Sequence, residues 1–72
     1  MWIRSQDKKH LINSSFINVS PLYKDGTYKI IIDNQYKVGD YQSEKRCIEI
    51  LDDITLKMFD CSKNYVYEMP NE

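Results

Sequence analysis

Apolar and polar residues alternate in short runs along residues 1–42, a pattern typical of β-strands joined by tight turns. The clearest runs are Phe16–Ser20 and Tyr28–Ile32, which are rich in β-branched and aromatic residues. Asp25-Gly26 lies between them and predicts a two-residue hairpin turn, because glycine accepts a positive φ. Asp33-Asn34 predicts a second turn, which a short strand at Gln35–Val38 follows. These runs together predict an antiparallel meander.

The period of the apolar positions changes after Ser43, where a helix is predicted over Ser43–Phe59. Ser43 suits the N-cap, and Glu44 lies in the first turn, where the helix dipole favours an anion. Four residues share one face of this helix, and Ile50 widens the stripe that they form: Cys47, Leu51, Ile54 and Met58. Ile48 and Leu56 fall outside the stripe and predict a second covered surface, such as a subunit contact.

Both ends of the sequence predict short strands. The opening WIRS places Trp2 and Arg4 on one face, and another strand is predicted around His10 to Asn13. Near the other end, alternate residues share one face of a strand: Tyr65, Tyr67 and Met69. The predicted fold is therefore a single α+β domain over residues 1–72, with a small antiparallel β-sheet of about four to six strands and one α-helix packed on one face.

The length of 72 residues limits the size of the core. The chain is 42% hydrophobic and 29% charged, with nine aromatic residues and only two glycines, which argues against disorder. Chains of this size often gain stability from a disulfide, a metal or a partner subunit. We therefore expect a homo-oligomer, most simply a two-fold dimer.

Charge is unevenly distributed along the sequence. Residues 1–29 carry five basic and two acidic side chains, whereas residues 30–72 carry five basic and nine acidic ones. This basic half is too sparse for duplex nucleic acid, but it suits a small anion or an acidic protein surface. No apolar run is long enough for a membrane span or follows the first charges as in a signal peptide. We therefore expect a cytoplasmic protein that binds neither duplex nucleic acid nor a membrane.

Residues that commonly carry catalysis or bind metals are few. Cys47 and Cys61 are 14 positions apart without a CxxC motif, so we interpret both as reduced, apolar side chains. His10 is the single histidine and lies beside two lysines, which is typical of a solvated turn. Asp52 and Asp53 are neighbours on the helix and point in different directions. The sequence therefore predicts no enzyme, no catalytic site, no metal site and no cofactor.

Three segments, MWIRSQDK, VGDYQSEKRCIEILDDI and YVYEMP, resemble in this order a family of small uncharacterised proteins. The family recurs in low-GC Gram-positive bacteria and in their phages and prophages. Its members open with WIRSQD, carry a helix that begins near Y-x-[ST]-x-E-R, and end with Y-x-MP. This chain has Cys47 where alanine is usual and Lys45 where glutamate is usual. The resemblance implies a phage or mobile-element setting and a small sheet with one helix, but no settled activity.

The two ends supply the predicted ligand-binding residues. If the terminal strands pair, an arginine and an amide would lie among aromatic rings, where they could hold a base and a phosphate. The predicted site residues are Trp2, Arg4, Gln6, Tyr65 and Tyr67. In the alternative interpretation Trp2 belongs to the core, Arg4 pairs with Asp7 or Glu68, and Ser5-Gln6-Asp7 caps a turn.

Two classes of function remain open. The first is a phage-type accessory protein that sequesters a small anionic, nucleotide-like signal molecule, as a counter-defence agent would. The second is a protein–protein interaction module that inhibits a host protein or assembles with itself.

Overall fold

Three ranges of the chain, 1–13, 16–60 and 66–72, are described by a computed structural model. In chain order their elements are β1 (Trp2–Arg4), β2 (Leu11–Asn13), β3 (Ile17–Val19), β4 (Tyr28–Ile32), β5 (Tyr36–Tyr41), α1 (Glu44–Asp60) and β6 (Val66–Glu68). Strand pairing is mostly antiparallel and one helix packs on the strands, so the predicted α+β class is confirmed. No helix within the described ranges is long and apolar enough to cross a membrane.

The strands form two small sheets instead of the single sheet that the sequence predicted. One sheet has the order β2-β1-β6 and the other β3-β4-β5. The two ends of the chain do lie side by side, and β1 and β6 are parallel. Just after β1, the Gln6 backbone N–H donates to the Val38 carbonyl at 2.7 Å, which joins the first sheet to the edge of the second.

The first hairpin has a longer loop than predicted. The Gly26 N–H donates to the Tyr23 carbonyl at 3.0 Å, and the Tyr23 N–H donates to the Thr27 carbonyl at 2.9 Å. These bonds enclose three residues, so the two-residue turn at Asp25-Gly26 is wrong. The positive φ of Gly26, 83°, is confirmed and fits a type I turn followed by a left-handed residue.

The second hairpin turns where the sequence predicted. Asp33 and Asn34 have φ of 55° and 59°, and the Gln35 N–H donates to the Ile32 carbonyl at 3.0 Å, as in a type I′ turn. The strand that follows is longer than the predicted Gln35–Val38, because β5 continues past a bulge to Tyr41. This extension places Asp40 and Tyr41 inside the sheet.

The helix covers nearly the predicted range, but the stripe that it buries is different. The Ser43 hydroxyl accepts the Arg46 N–H at 3.1 Å, which confirms the N-cap. Three residues at spacings of three and four are at most 2% exposed: Cys47, Ile50 and Ile54. Leu51 is half-buried, and Met58, predicted to lie in the core, is 56% exposed. The buried stripe therefore ends at Ile54, one turn before Met58 near the end of the 17-residue helix.

The core lies between the helix and the inner faces of both sheets. Residues from both ends of the chain reach it, since Ile3, Tyr67 and Met69 are at most 3% exposed. Trp2 is 44% exposed and so lies outside the core, contrary to the alternative interpretation. The apolar side chain that anchors the first strand is its neighbour Ile3. The buried apolar cluster consists of Ile3, Ile30, Ile32, Val38, Tyr41, Cys47, Ile50, Ile54, Tyr67 and Met69.

Candidate functional site

The four predicted site residues that the structure describes, Trp2, Arg4, Gln6 and Tyr67, do not form one site. Paired residues of a sheet point to the same side, and the register pairs Trp2 with Val66, Ile3 with Tyr67 and Arg4 with Glu68. Trp2 and Arg4 therefore point outward, whereas Tyr67 points into the core beside Ile3. Tyr65 lies outside the described residues. The register of the terminal strands separates the residues that we expected to find together.

The side chain of Tyr67 has a structural role. Its side chain is buried, and its hydroxyl donates to Asp53 Oδ2 at 2.7 Å, which ties β6 to the helix. We expected an arginine and an amide among aromatic rings, and for Tyr67 this expectation is wrong. A shift of one residue in register moves a strand's whole set of side chains to the opposite face, and sequence alternation alone does not fix that choice.

Gln6 joins the two sheets. Its Oε1 accepts the Asp40 N–H at 2.9 Å, while its Nε2 donates to the Asp40 carbonyl at 3.1 Å and the Asn71 carbonyl at 2.7 Å. The carboxamide thus has bonded partners on both of its polar atoms. Gln6 is therefore occupied by the fold, and a ligand would have to break these bonds to use it.

Ser5 and Asp7 shape the turn after β1, as the alternative interpretation expected. The Asp7 carboxylate accepts the Ser5 hydroxyl and, at 3.0 Å, the Lys9 N–H. These bonds lower the pKa of Asp7, and the bond from Ser5 has the largest effect. The Ser5 hydroxyl also accepts the His10 N–H at 3.1 Å. In the opening WIRSQD, Ile3 lies in the core, and the side chains of Ser5, Gln6 and Asp7 make hydrogen bonds that hold the fold together. The side chains of Trp2 and Arg4 have neither of these roles among the described residues.

Trp2 and Arg4 lie at the centre of an outward surface that we call the Trp2 face. It is the outer side of the sheet β2-β1-β6, and it consists of Trp2, Arg4, Leu11, Asn13, Val66 and Glu68. All six residues are exposed. Three of them are large and apolar, with exposures of 44% for Trp2, 51% for Leu11 and 39% for Val66. The helix contacts the opposite, inner side of this sheet, where Tyr67 bonds to Asp53, and no described element covers the Trp2 face.

Charges border the Trp2 face. The Glu68 carboxylate pairs with the Lys8 ammonium at 3.0 Å, and this hydrogen bond lowers the pKa of Glu68. The Arg4 guanidinium adds an attractive field on Glu68 but makes no hydrogen bond or ion pair with the described residues. Arg4 is therefore a free donor next to an exposed indole.

Sequence reasoning did not find a groove that lies between the two sheets. Its volume is about 800 Å³, and it is lined by residues 9–13 on one side and by residues between 33 and 37 on the other. We call it the Lys9–Lys37 groove. The sequence signal for it was the basic turn at Lys8-Lys9-His10, which on its own is typical of a solvated loop. The fold brings Tyr36 and Lys37 opposite that turn.

A buried lysine occupies the outer side of the second sheet. Lys29 is 3% exposed, and its ammonium contacts Asp40 at 2.6 Å, Asp25 at 3.0 Å and the Thr27 hydroxyl at 2.9 Å. The ring of Tyr23 lies 4.6 Å from the same nitrogen. The bond to Asp40 and the bond to Asp25 raise the pKa of Lys29, against the opposing effect of burial. Bonds from Thr27 and Lys29 lower the pKa of Asp25 to about 2. The Lys29 ammonium thus has three oxygen acceptors, so the cluster closes the loop over the sheet.

The residue types that carry hydrolysis or bind metals lie apart. Cys47 is a free, buried thiol whose pKa is raised by burial, and its weak contact is the Tyr28 carbonyl at 3.9 Å. Cys61 lies outside the described residues. Within the described ranges no three of His, Cys, Asp and Glu are grouped as a metal site would require.

Comparison with known proteins gives no relative. The chain matches no family model, no curated protein and no solved structure. Function must therefore be inferred from the geometry of the described residues.

Proposed function

We propose that this chain is a non-enzymatic, phage-type accessory protein that binds another protein through the Trp2 face. The proposal rests on one observation: the residues of the opening segment have two different environments. Ile3, Ser5, Gln6 and Asp7 build the fold, whereas Trp2 and Arg4 stand exposed in the middle strand of their sheet. Trp2 forms an exposed apolar patch with Leu11 and Val66 around it, and such patches are typical of protein contact surfaces.

The composition of the face favours a protein partner. Trp and Arg are the residue types most often found at interface hot spots, which lie near the centre of the contact and have a polar rim. Here Leu11 and Val66 flank the indole, and the Lys8–Glu68 ion pair lies at the rim. A small-molecule site is normally concave. The outer side of a three-stranded sheet is nearly flat, so the small anionic ligand expected from the sequence is not proposed for this face.

Self-association is the alternative use of the same face. Arg4 and Glu68 are neighbours in register, so a second copy related by a two-fold axis could place opposite charges together. Three short strands cover only about 150 Å² of sheet plane, however, well below the roughly 800 Å² per partner of a stable interface. A different protein that also reaches the surroundings of the face can bury more area, so we favour a heterologous partner.

The proposed setting is the bacterial cytoplasm, in line with the resemblance to phage and prophage proteins. A reducing compartment keeps the Cys47 thiol free, as it is in the structure. The non-enzymatic part of the proposal is supported by the raised pKa of Cys47, because a protonated thiol is a poor nucleophile.

Affinity capture with matched variants tests the proposal. The tagged chain is exposed to a lysate of a low-GC Gram-positive bacterium, and the captured protein is identified, purified and titrated directly. We expect Trp2→Ala and Arg4→Ala each to weaken binding about tenfold or more, because each removes a central contact. Leu22→Ala and Lys24→Ala are the controls, since they remove an exposed apolar side chain and an exposed charge from the loop between β3 and β4 of the other sheet.

Two results would overturn the proposal: equal loss of binding in the controls, or full binding by both face variants. Light scattering on the purified chain distinguishes a heterologous partner from self-association. A species of twice the 8.6 kDa chain mass that dissociates in Trp2→Ala assigns the face to a second copy instead.

A further inference from the structure

The Lys9–Lys37 groove has the dimensions and the borders of a ligand site that adjoins the Trp2 face and shares Leu11 and Asn13 with it. Its volume of about 800 Å³ lies within the range of roughly 300–1,000 Å³ that is usual for small-molecule sites. It runs between the segments that contain β2 and the start of β5. Among the described strands, β2 has β1 as its one ladder partner and β5 has β4. Edge strands present unpaired backbone groups, which a polar ligand can use.

The described residues neutralise little of the positive charge in the groove. The Lys9 ammonium makes no hydrogen bond or ion pair with the described residues, since only its backbone N–H is bonded, to Asp7. The Lys37 ammonium is 3.9 Å from Asp40 Oδ1, but that oxygen is already bound at 2.6 Å by Lys29. Two ammonium groups are therefore available, and the imidazole of His10 lies on the same wall.

The described carboxylates near the groove already accept hydrogen bonds from the protein. Asp33 is the one carboxylate among the described lining residues, and its Oδ1 accepts the Phe16 N–H at 3.0 Å. The Asp7 carboxylate, one turn away, is occupied by Ser5 and by the Lys9 backbone. An anion in the groove would thus meet ammonium groups before it met an unoccupied carboxylate.

An aromatic ring lies beside these charges. Tyr36 is 49% exposed at the start of β5, next to Lys37 and among the groove residues. Aromatic faces stack on nucleobases, and ammonium groups bind phosphate as point charges. The amide of Gln35 also lines the groove and offers both donors and an acceptor to a ring edge. We propose that the Lys9–Lys37 groove binds a mononucleotide-type ligand, with its phosphate at Lys9 and Lys37 and its planar ring on Tyr36.

A nuclear magnetic resonance titration of the ¹⁵N-labelled chain with AMP tests this site. We expect AMP to shift the amide signals of residues 9–13 and 35–37 in a saturable manner. The double variant Lys9→Ala/Lys37→Ala should weaken AMP binding about tenfold or more, since charge-assisted bonds are lost. The matched control Lys24→Ala/Lys45→Ala removes the same charge from exposed positions outside the groove and should bind AMP as the native chain does. Dispersed spectra from each variant verify that it is folded.

Two simpler probes separate the parts of the proposal. Tyr36→Leu should weaken AMP but leave the binding of inorganic pyrophosphate unchanged, and adenosine alone should bind more weakly than AMP. The proposal is overturned if AMP causes no saturable shift, if the control double variant loses as much affinity as the groove variant, or if adenosine binds as well as AMP. Trp2→Ala should retain AMP binding, so failure of the Trp2 face and failure of the groove are distinguishable.

Discussion

The side chain of Gln6 pairs with the backbone of Asp40 as a neighbouring strand would. Its amide accepts the Asp40 N–H at 2.9 Å and donates to the Asp40 carbonyl at 3.1 Å. The Asp40 carboxylate in turn holds the buried ammonium of Lys29 at 2.6 Å. One residue of β5 thus connects the first sheet, the second sheet and the loop that folds over Lys29.

Gln6→Ala should lower the free energy of unfolding by about 2 kcal/mol, because it removes three hydrogen bonds that have a net value of roughly 0.5–1.5 kcal/mol each. Urea unfolding followed by circular dichroism measures this change. Gln42→Ala, an exposed glutamine on the way to the helix, is the control and should change stability by less than about 0.5 kcal/mol. Equal effects of the two variants would show that the bridge between the sheets contributes nothing.

Gly39→Ala should destabilise the protein by about 1–3 kcal/mol through a clash. A Cβ at position 39 would lie 2.6 Å from the Tyr41 ring, whose hydroxyl donates to the Pro70 carbonyl at 2.7 Å. Gly26→Ala is the contrasting variant, because no atom lies within 4 Å of its Cβ and only the positive φ opposes it. We expect the chemical environment of Tyr41 and Pro70 to change in the first variant alone, as seen by nuclear magnetic resonance. Unchanged Tyr41 signals in Gly39→Ala would contradict this packing.

Ile50→Ala should cost about 2–5 kcal/mol of stability, whereas Ile48→Ala should cost less than about 0.5 kcal/mol. The two substitutions have the same chemistry two positions apart, but Ile50 is 1% exposed and Ile48 is 47% exposed. Thermal unfolding of both variants compares them directly. A large effect at Ile48 would reveal that this outer face of the helix is covered in solution.

Stability should fall in acid below about pH 4 because of carboxylates that are bound in the folded state. Asp25 has a folded pKa of about 2 against an ordinary 3.8, and the pKa values of Asp7 and Glu68 are also lowered. Groups with a lowered folded pKa stabilise the protein above their ordinary pKa, and this contribution is lost as the pH falls through the folded value. Asp25→Asn should therefore be less stable at pH 7 and show a shallower decline between pH 4 and pH 2. A decline as steep as in the native chain would exclude Asp25 as a source of the acid sensitivity.

Stability should also fall in alkali, with Tyr41 as one cause. Burial raises the pKa of Tyr41 to about 12 from an ordinary 10.0, so folding favours the neutral phenol. The contribution of Tyr41 to stability is fully present below pH 10 and is lost as the pH rises toward 12. Lys29 and Cys47 act in the same direction, since their pKa values are also raised. Tyr41→Phe should reduce the slope of stability against pH between 10 and 12, and an unaltered slope would assign the loss to the other groups.

Local features of the fold could be predicted from the sequence because local physics determines them. The N-cap at Ser43, the turn at Asp33-Asn34 and the positive φ of Gly26 each depend on a few adjacent residues. The division into two sheets was not predictable, since it depends on which strands meet across the whole chain. The predicted grouping of the site residues was wrong for the same reason, since it also depends on long-range strand pairing. Trp2 and Tyr67 both follow an alternating pattern, but only the register of β1 against β6 decides that they lie on opposite faces.

The parallel pairing of β1 with β6 constrains the order of events during synthesis. Trp2 lies opposite Val66, 64 positions later in the chain, whereas each hairpin of the second sheet joins near neighbours. Contacts between distant positions form slowly, because a long loop must close before they contribute. On the ribosome the second sheet and the helix can assemble while Ile3 still lacks Tyr67 beside it. The surface that we propose for partner binding therefore takes its final shape only after Val66–Glu68 has emerged, so a nascent chain lacks the complete surface until then.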